Sequence, residues 1–303
     1  MPKTLIILNP HAGNGRAGRA WTRLEPLLWE TLGELVVAVT EKPDDVAPHL
    51  ERAYASGLTR VISIGGDGTN HVLINALAQL NTRHPNDPPM VYGNLPFGTG
   101  RDWARGIGTP LDDLQAAARW IASAQPRPTD VGLLEYDNRR EYFLNIASAG
   151  IGNEIATQVN AARVRRPWTF LQATIRGLLR YHPRPMQITL DGEPWYEGSA
   201  YIVAIANGST FASGMKIAPH AQIRDGLFDV VLVRGANVGS LLAALPRVYR
   251  GTHLTHPAVR YGRAREVRVI GEGSPVGVEL DGEVAMGRDL TFRVQPGLLH
   301  LLS

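Results

Sequence analysis

Val61-Ile62-Ser63-Ile64-Gly65-Gly66-Asp67-Gly68-Thr69-Asn70 sets a short apolar run against a glycine turn, and Thr69–Leu80 behind it has helical spacing. This is a strand, a tight turn and the start of a helix. Three glycines let a backbone come close to phosphate oxygens, and a helix N-terminus offers free N–H groups to them. Asp67 stands where those phosphates would sit. A bare carboxylate repels them, so its presence makes sense if it holds Mg²⁺ or takes a nucleophile's proton. The structural alternative is a helix-capping turn, for which Thr69 alone would serve. The chain contains no G-x-x-x-x-G-K-[ST], which excludes a P-loop enzyme.

On the N-terminal side, Leu5–Leu8 reads as a strand ended by Asn9-Pro10, and Ala17–Leu32 as a helix stopped at Gly33. Leu35–Val39 reads as a second buried strand, and Val46, Leu50, Ala53 and Tyr54 mark a second helix. On the C-terminal side, Met90–Asn94 is a fourth strand and Leu111–Ala122 another helix. Apolar strands alternating with amphipathic helices imply a parallel sheet covered on both faces. Between the fourth strand and its helix lies a further loop, Pro96-Phe97-Gly98-Thr99-Gly100-Arg101-Asp102-Trp103-Ala104-Arg105. An earlier one, Gly13-Asn14-Gly15-Arg16-Ala17-Gly18, fits G-x-G-x-x-G, with Glu41 where a ribose-binding acid would belong in a dinucleotide fold. Asn9-Pro10 lengthens that turn and the Asp67 loop has no place in such a fold, so an NAD-dependent oxidoreductase is disfavoured. Three glycine loops at the C-terminal ends of neighbouring parallel strands would line one crevice.

The sequence changes character after Ala124-Gln125-Pro126-Arg127-Pro128, a candidate linker, which places domains at 1–126 and 127–303. Strand-like runs then dominate: Val131–Leu134, Tyr142–Ile146, Met186–Leu190, Tyr201–Ala206, Phe228–Val233, Val267–Ile270, Val276–Leu280 and Leu290–Val294. They suggest an antiparallel sandwich or flattened barrel with helical insertions near Trp168–Tyr181 and Val238–Tyr249. Leu-Asp-Gly-Glu occurs twice, at 190–193 and 280–283, and Asp-Gly between apolar runs is a hairpin turn.

The 303 residues include no cysteine, which excludes disulfides and thiolate metal sites. The apolar run after Thr4 is too short for a signal-peptide core, and no later run approaches spanning length, so a soluble intracellular protein is expected. Lysine occurs only at 3, 42 and 216, so the positive charge is nearly all arginine. Arg163, Arg165, Arg166, Arg176, Arg180 and Arg184 cluster with no acidic residue among them. Interleaved Trp168, Phe170, Leu171, Ile175, Leu178 and Leu179 favour an anionic membrane surface over nucleic acid as the partner.

These residues together resemble the diacylglycerol kinase catalytic-domain family, which includes soluble bacterial lipid kinases and sphingosine and ceramide kinases. Asn9-Pro10-His11-Ala12-Gly13 looks like its N-P-x-S-G opening, Gly65–Thr69 its G-G-D-G-T, and Pro96–Arg105 its P-x-G-T-x-N-D-x-A-R. Asp130-Val131-Gly132, Phe143-Leu144-Asn145, Ser148-Ala149-Gly150, Asn207-Gly208, Gly214–Pro219, Asp225–Asp229 and Asp281-Gly282-Glu283 match in order through the second half. The chain departs from the pattern at Ala12, Arg101, Ala212, Ser213 and Arg224, the last in place of one acid of a frequent D-D-G.

The resemblance implies an α/β plus β fold. A phosphofructokinase-like N-terminal α/β nucleotide domain would be joined to a C-terminal β-sandwich domain, with the active site in the cleft. It implies ATP and Mg²⁺ as cofactors and a lipid hydroxyl, of diacylglycerol or a similar alcohol, as acceptor. Asn9, Arg16, Thr40, Gly65, Gly66, Gly68, Thr69, Gly98, Thr99 and Asp102 would contact or organise the nucleotide. Asp67 would be catalytic or metal-associated, with Asp225 and Asp229 as further magnesium ligands, and Glu283 the general base. The lipid substrate would be met at the inner membrane face by peripheral contact, with no nucleic acid partner; a homodimer is left open. A small-molecule kinase of the NAD kinase type shares G-G-D-G-T but lacks the Pro96–Arg105 pattern and the late D-G-E. A non-enzymatic sensor on this fold should have lost the carboxylates that Asp67, Asp102 and Glu283 retain.

Overall fold

The structure is a computed structural model and describes residues 3–98, 101–110, 112–162, 168–212 and 214–303. The chain forms two compact units, Met1–Thr129 with Pro296–Ser303, and Asp130–Gln295. The first unit alternates strictly: β1 (Thr4–Leu8), α1 (Ala12–Leu32), β2 (Leu35–Val39), α2 (Val46–Ala55), β3 (Arg60–Gly65), α3 (Asp67–Arg83), β4 (Val91–Pro96), α4 (Asp102–Gly106) and α5 (Leu114–Ser123). β1 pairs in parallel with β2 and β3, and β3 with β4. Leu24, Leu28 and Leu32, one stripe of α1, are buried with Ile6, Ile62, Ile64 and Ile121. Val36, Val37 and Val39 are exposed because β2 pairs on one side only, a correction to the buried strand expected from its composition.

The expected linker is strand. β5 (Pro126–Tyr136) carries the chain from the first unit into the second, since proline is tolerated at a strand's first residue. The second unit continues with β6 (Arg139–Phe143), β7 (Ile146–Gly150), α6 (Ile151–Asn160), α7 (Thr169–Arg180), β8 (Arg184–Leu190), β9 (Glu193–Ala206), β10 (Phe228–Arg234), α8 (Val238–Arg250), β11 (Val259–Ala264), β12 (Glu266–Gly271), β13 (Val276–Leu280), β14 (Glu283–Gly287) and β15 (Asp289–Leu302). Its pairings are antiparallel in the order β14-β13-β7-β9-β8-β12-β15, with β10 also on β9 and β11 on β10. Phe143 stacks on Phe228 at 5.6 Å and meets Phe292 edge-on at 6.3 Å, at the centre of the β-sandwich core. The end of β15 belongs to the first unit, where His300 and Leu301 pair in parallel with Val91 and Tyr92. The 127–303 boundary did not foresee this return. Among the described residues, no helix is long and apolar enough to cross a membrane.

Candidate active site

Three loops of the first unit leave the C-terminal ends of β1, β3 and β4, and side chains and backbone tie them together. Asn9 follows β1; its Nδ2 donates to Thr69 Oγ1 at 3.0 Å, while its Oδ1 accepts the His11 N–H at 3.0 Å. Gly13, Asn14 and Gly15 all take left-handed backbone conformations, so regular helix starts only beyond them. A Cβ on Gly13 would lie 2.2 Å from the Phe97 carbonyl oxygen, so only glycine lets the first loop meet the third. Arg16 is exposed, whereas Arg19 Nη2 donates back to the Asn14 carbonyl at 3.2 Å. Thr40 at the end of β2 is buried and spends its hydroxyl on the Leu8 carbonyl at 3.3 Å. That bond braces the strand ends.

In the second loop Gly66, not Thr69, is the N-cap of α3, and Asp67 is the helix's first residue. Thr69 is left to receive Asn9. Asn70 Oδ1 accepts the Ser63 hydroxyl at 2.7 Å and the Tyr92 hydroxyl at 3.0 Å, locking α3 onto β3 and β4. The third loop comes up against the second: a Cβ on Gly98 would sit 3.1 Å from both Asp67 Oδ2 and Gly66 Cα. Asp67 is half-buried there and Gly68 exposed, with the N–H groups of the first turn of α3 beside them. Thr99 lies outside the described residues. Asp102 opens α4 and binds Arg105 Nη1 at 2.8 Å, while Arg101, in a left-handed conformation, pairs with Asp112. Asparagine adopts that conformation more readily than arginine, which accounts physically for the family's usual residue.

In the second unit the Asp281-Gly282 turn is held from every side. The Asp281 carboxylate accepts N–H groups from Leu144 at 2.6 Å, Asn145 at 3.1 Å and Ile146 at 3.0 Å. Gly282 N–H donates to Glu279 Oε1 at 2.7 Å, and its carbonyl accepts Asn160 Nδ2 at 3.0 Å. Glu279 is itself buried and takes the Ser148 hydroxyl at 3.1 Å. Glu283, the next residue, is exposed. The other copy is simpler: Asp191 accepts the Arg265 and Glu266 N–H groups at 2.8 Å each, and Glu193 is exposed at a plain hairpin. Asn207, buried, donates to the Asp130 and Leu144 carbonyls at 2.9 and 2.6 Å, which joins three of the motif segments. Glu279 and Asn160 were not singled out from the sequence, and Ser148 was named there only as part of the Ser148-Ala149-Gly150 match.

Asp225 and Asp229, expected as magnesium ligands, both face Arg263, which donates to Asp225 and lies 3.5 Å from Asp229 Oδ2 as an ion pair. A guanidinium between two carboxylates leaves no place for a divalent cation, so these residues do not fit one. Asp67 does fit: it is a half-buried hard-oxygen donor, and Mg²⁺ in nucleotide sites is held by as few as one carboxylate with phosphates and water. Ala212 has φ +51, the left-handed region that makes glycine common at that family position; Ser213 lies outside the described residues.

Residues 3–134 match the diacylglycerol kinase catalytic domain, and residues 145–303 match the YegS C-terminal NAD kinase beta sandwich-like domain. A diacylglycerol kinase of Mycobacterium tuberculosis is 29% identical over 304 residues, covering 99% of this chain and 94% of that protein. One from Bacillus subtilis is 26% identical over 286 residues, covering 93% and 90%. A crystal structure of a diacylglycerol kinase from Bacillus anthracis superposes with TM-score 0.75 at 21% identity, covering 99% and 96% of the two chains. An Archaeoglobus fulgidus NAD kinase in complex with ATP reaches only TM-score 0.51 at 12% identity, covering 100% and 94%. At such identities the two structures speak for the fold alone.

Proposed function

Because the chain belongs to the diacylglycerol kinase catalytic-domain family, we propose that it transfers the γ-phosphate of ATP, with Mg²⁺, to the hydroxyl of a lipid such as diacylglycerol. The observation that carries this reading is that three glycine loops at the strand ends of the first unit touch one another, the first at Thr69 and Phe97 and the third at Asp67. Asn9 and Thr69 fix two of those loops to each other beside the first turn of α3, whose N–H groups would meet phosphate oxygens, and Arg16 adds charge from an exposed position. Asp67 would hold the metal, which would supply neutralisation of the charge that builds on the phosphates during transfer. Asp102 pairs with Arg105 within α4, directly after the third loop. Glu283 is the base that orients the lipid hydroxyl and accepts its proton as the new O–P bond forms and the bond from the γ-phosphorus to the bridging oxygen breaks, releasing ADP. A carboxylate on a turn held by Asp281, Glu279 and Asn160 is free to face substrate while its backbone is not free to move.

Reaching a lipid requires a membrane contact. Trp168 and Leu179 are exposed at and along α7, with Arg176 and Arg180 beside them, an apolar and cationic face suited to anionic lipid at the cytoplasmic leaflet. Arg163, Arg165 and Arg166 lie outside the described residues.

The test is phosphorylation of dioleoylglycerol in mixed micelles by wild type, Glu283→Gln and Glu193→Gln. Wild type and Glu193→Gln should be equally active, and Glu283→Gln should fall by about 10²–10⁴-fold. Equal activities of the two variants would remove Glu283 from the chemistry. Phosphorylation of NAD in place of lipid would replace the lipid reading with the small-molecule one.

A further inference from the structure

Asp229 on β10 and Arg263 on β11 are directly opposed across the ladder, so their side chains meet on one face of the sheet. Asp229 is fully buried; its Oδ1 accepts the Tyr261 hydroxyl at 2.7 Å, and its Oδ2 lies 3.5 Å from Arg263 Nε. That separation makes an ion pair rather than a hydrogen bond, and Oδ2 has no hydrogen-bond donor. The same guanidinium donates through Nη2 to Asp225 Oδ2, while Asp225 Oδ1 caps its own turn at the Leu227 N–H. Asp130 fixes the turn from below by accepting the Gly226 N–H at 2.7 Å. Two carboxylates thus turn their Oδ2 atoms toward one planar cation supplied by the chain. A divalent ion there would lie against that guanidinium and be repelled by it.

The structure assigns to Arg263 the place a divalent cation would need: its guanidinium neutralises Asp225 and Asp229 and ties the 225–229 turn to β11 without metal. The second unit then requires no Mg²⁺ to hold this turn. Burial pushes the Asp229 carboxyl upward while Tyr261 and Arg263 oppose it, and burial together with Asp229 pushes the Tyr261 hydroxyl up to about 12. On the proposed kinase reading, any Mg²⁺ requirement then belongs to the nucleotide and Asp67; the structural claim stands without that reading.

Nucleotide-free full-length protein is titrated with Mn²⁺ by electron paramagnetic resonance, and its melting temperature is recorded in EDTA and in Mg²⁺. Wild type should melt at the same temperature in both, and any Mn²⁺ it takes up should be unaffected by Asp225→Asn. Arg263→Ser should melt about 5 °C lower in EDTA, recover in Mg²⁺ and gain one Mn²⁺ that Asp225→Asn removes. If Arg263→Ser does not fold, Asp225→Asn alone decides: it should lower the melting temperature equally with and without Mg²⁺. The proposal is overturned by wild-type Mn²⁺ uptake that Asp225→Asn abolishes, by a wild-type melting temperature that falls on chelation, by Arg263→Ser gaining no Mn²⁺, or by an Asp225→Asn loss confined to Mg²⁺.

Discussion

Replacing Asp281 by alanine removes one carboxylate and strands three backbone N–H groups, those of Leu144, Asn145 and Ile146. Leu144 and Ile146 are buried, so two of the three amides have no ready access to water; Asn145 is half-buried and can be rehydrated. A buried donor left without its acceptor costs about 1–3 kcal/mol, and hydrogen bonds to a charged acceptor lie at the upper end, so the two buried amides alone give about 4 kcal/mol. In a unit of this size that is a fall in melting temperature of about 12 °C. Asp191→Ala is the matched control, since it exposes only the Arg265 and Glu266 amides at an exposed hairpin and should cost about 1 kcal/mol. Urea denaturation of the full chain, followed by circular dichroism with the slope held common, reads both. Nucleotide binding should survive Asp281→Ala in buffer without urea, because the change lies outside the glycine loops. Equal costs for the two alanines, or an Asp281→Ala loss below about 1 kcal/mol, would refute the view that Asp281 is the structural anchor of the turn presenting Glu283.

Three further outcomes are expected. Gly98→Ala forces a Cβ to 3.1 Å from Asp67 Oδ2 and Gly66 Cα, so calorimetry should show ATP affinity down by about tenfold, or 1.4 kcal/mol, with the fold retained; unchanged affinity would detach this loop from the nucleotide. His253 is buried with its Nε2–H on the Ile217 carbonyl, and burial depresses its pKa below the unfolded value of about 6.5. A depressed folded pKa gives stability present above that unfolded value and lost as pH falls through the folded one. The urea midpoint should therefore drop between pH 7 and 5, and more shallowly in His253→Gln; parallel profiles would contradict it. Arg176→Gln/Arg180→Gln should weaken co-sedimentation with phosphatidylserine vesicles by about 30-fold at about 1 kcal/mol per cation, and added salt should weaken wild type likewise; binding indifferent to both would mean a solvated face.

The alternation of the first unit was legible because parallel strands buried on both faces read as continuous apolar runs, and Leu5–Leu8 and Val61–Ile64 both fall within strands as observed. The same rule placed Leu35–Val39 as a strand but overstated its burial. An all-apolar run does not reveal whether a second neighbour exists, and among the described residues β2 has none. α6 went unseen because Ile151–Asn160 carries glycine, asparagine and threonine in a helix held by packing rather than propensity. Residues 126–128 looked like a linker because prolines suggest one, yet they begin β5. The glycine loops were legible as loops, but their mutual contacts depend on pairings such as Asn9 with Thr69, sixty residues apart, which no local pattern encodes. The two Leu-Asp-Gly-Glu copies were indistinguishable by local sequence; the structure separates them by what surrounds the aspartate, a three-amide cradle at Asp281 and two amides at Asp191. The arginine that pairs with Asp225 and Asp229 was equally illegible, since it lies on another strand.

The most direct test of the central claim is transfer of label from [γ-³²P]ATP to a total lipid extract by the purified full-length chain, with NAD and sugars offered in parallel. The account predicts Mg²⁺-dependent labelling of a chloroform-soluble lipid carrying a phosphomonoester, lost in Asp67→Asn. Label appearing only in NAD or a sugar, or a lipid product formed equally well by Asp67→Asn, would contradict it.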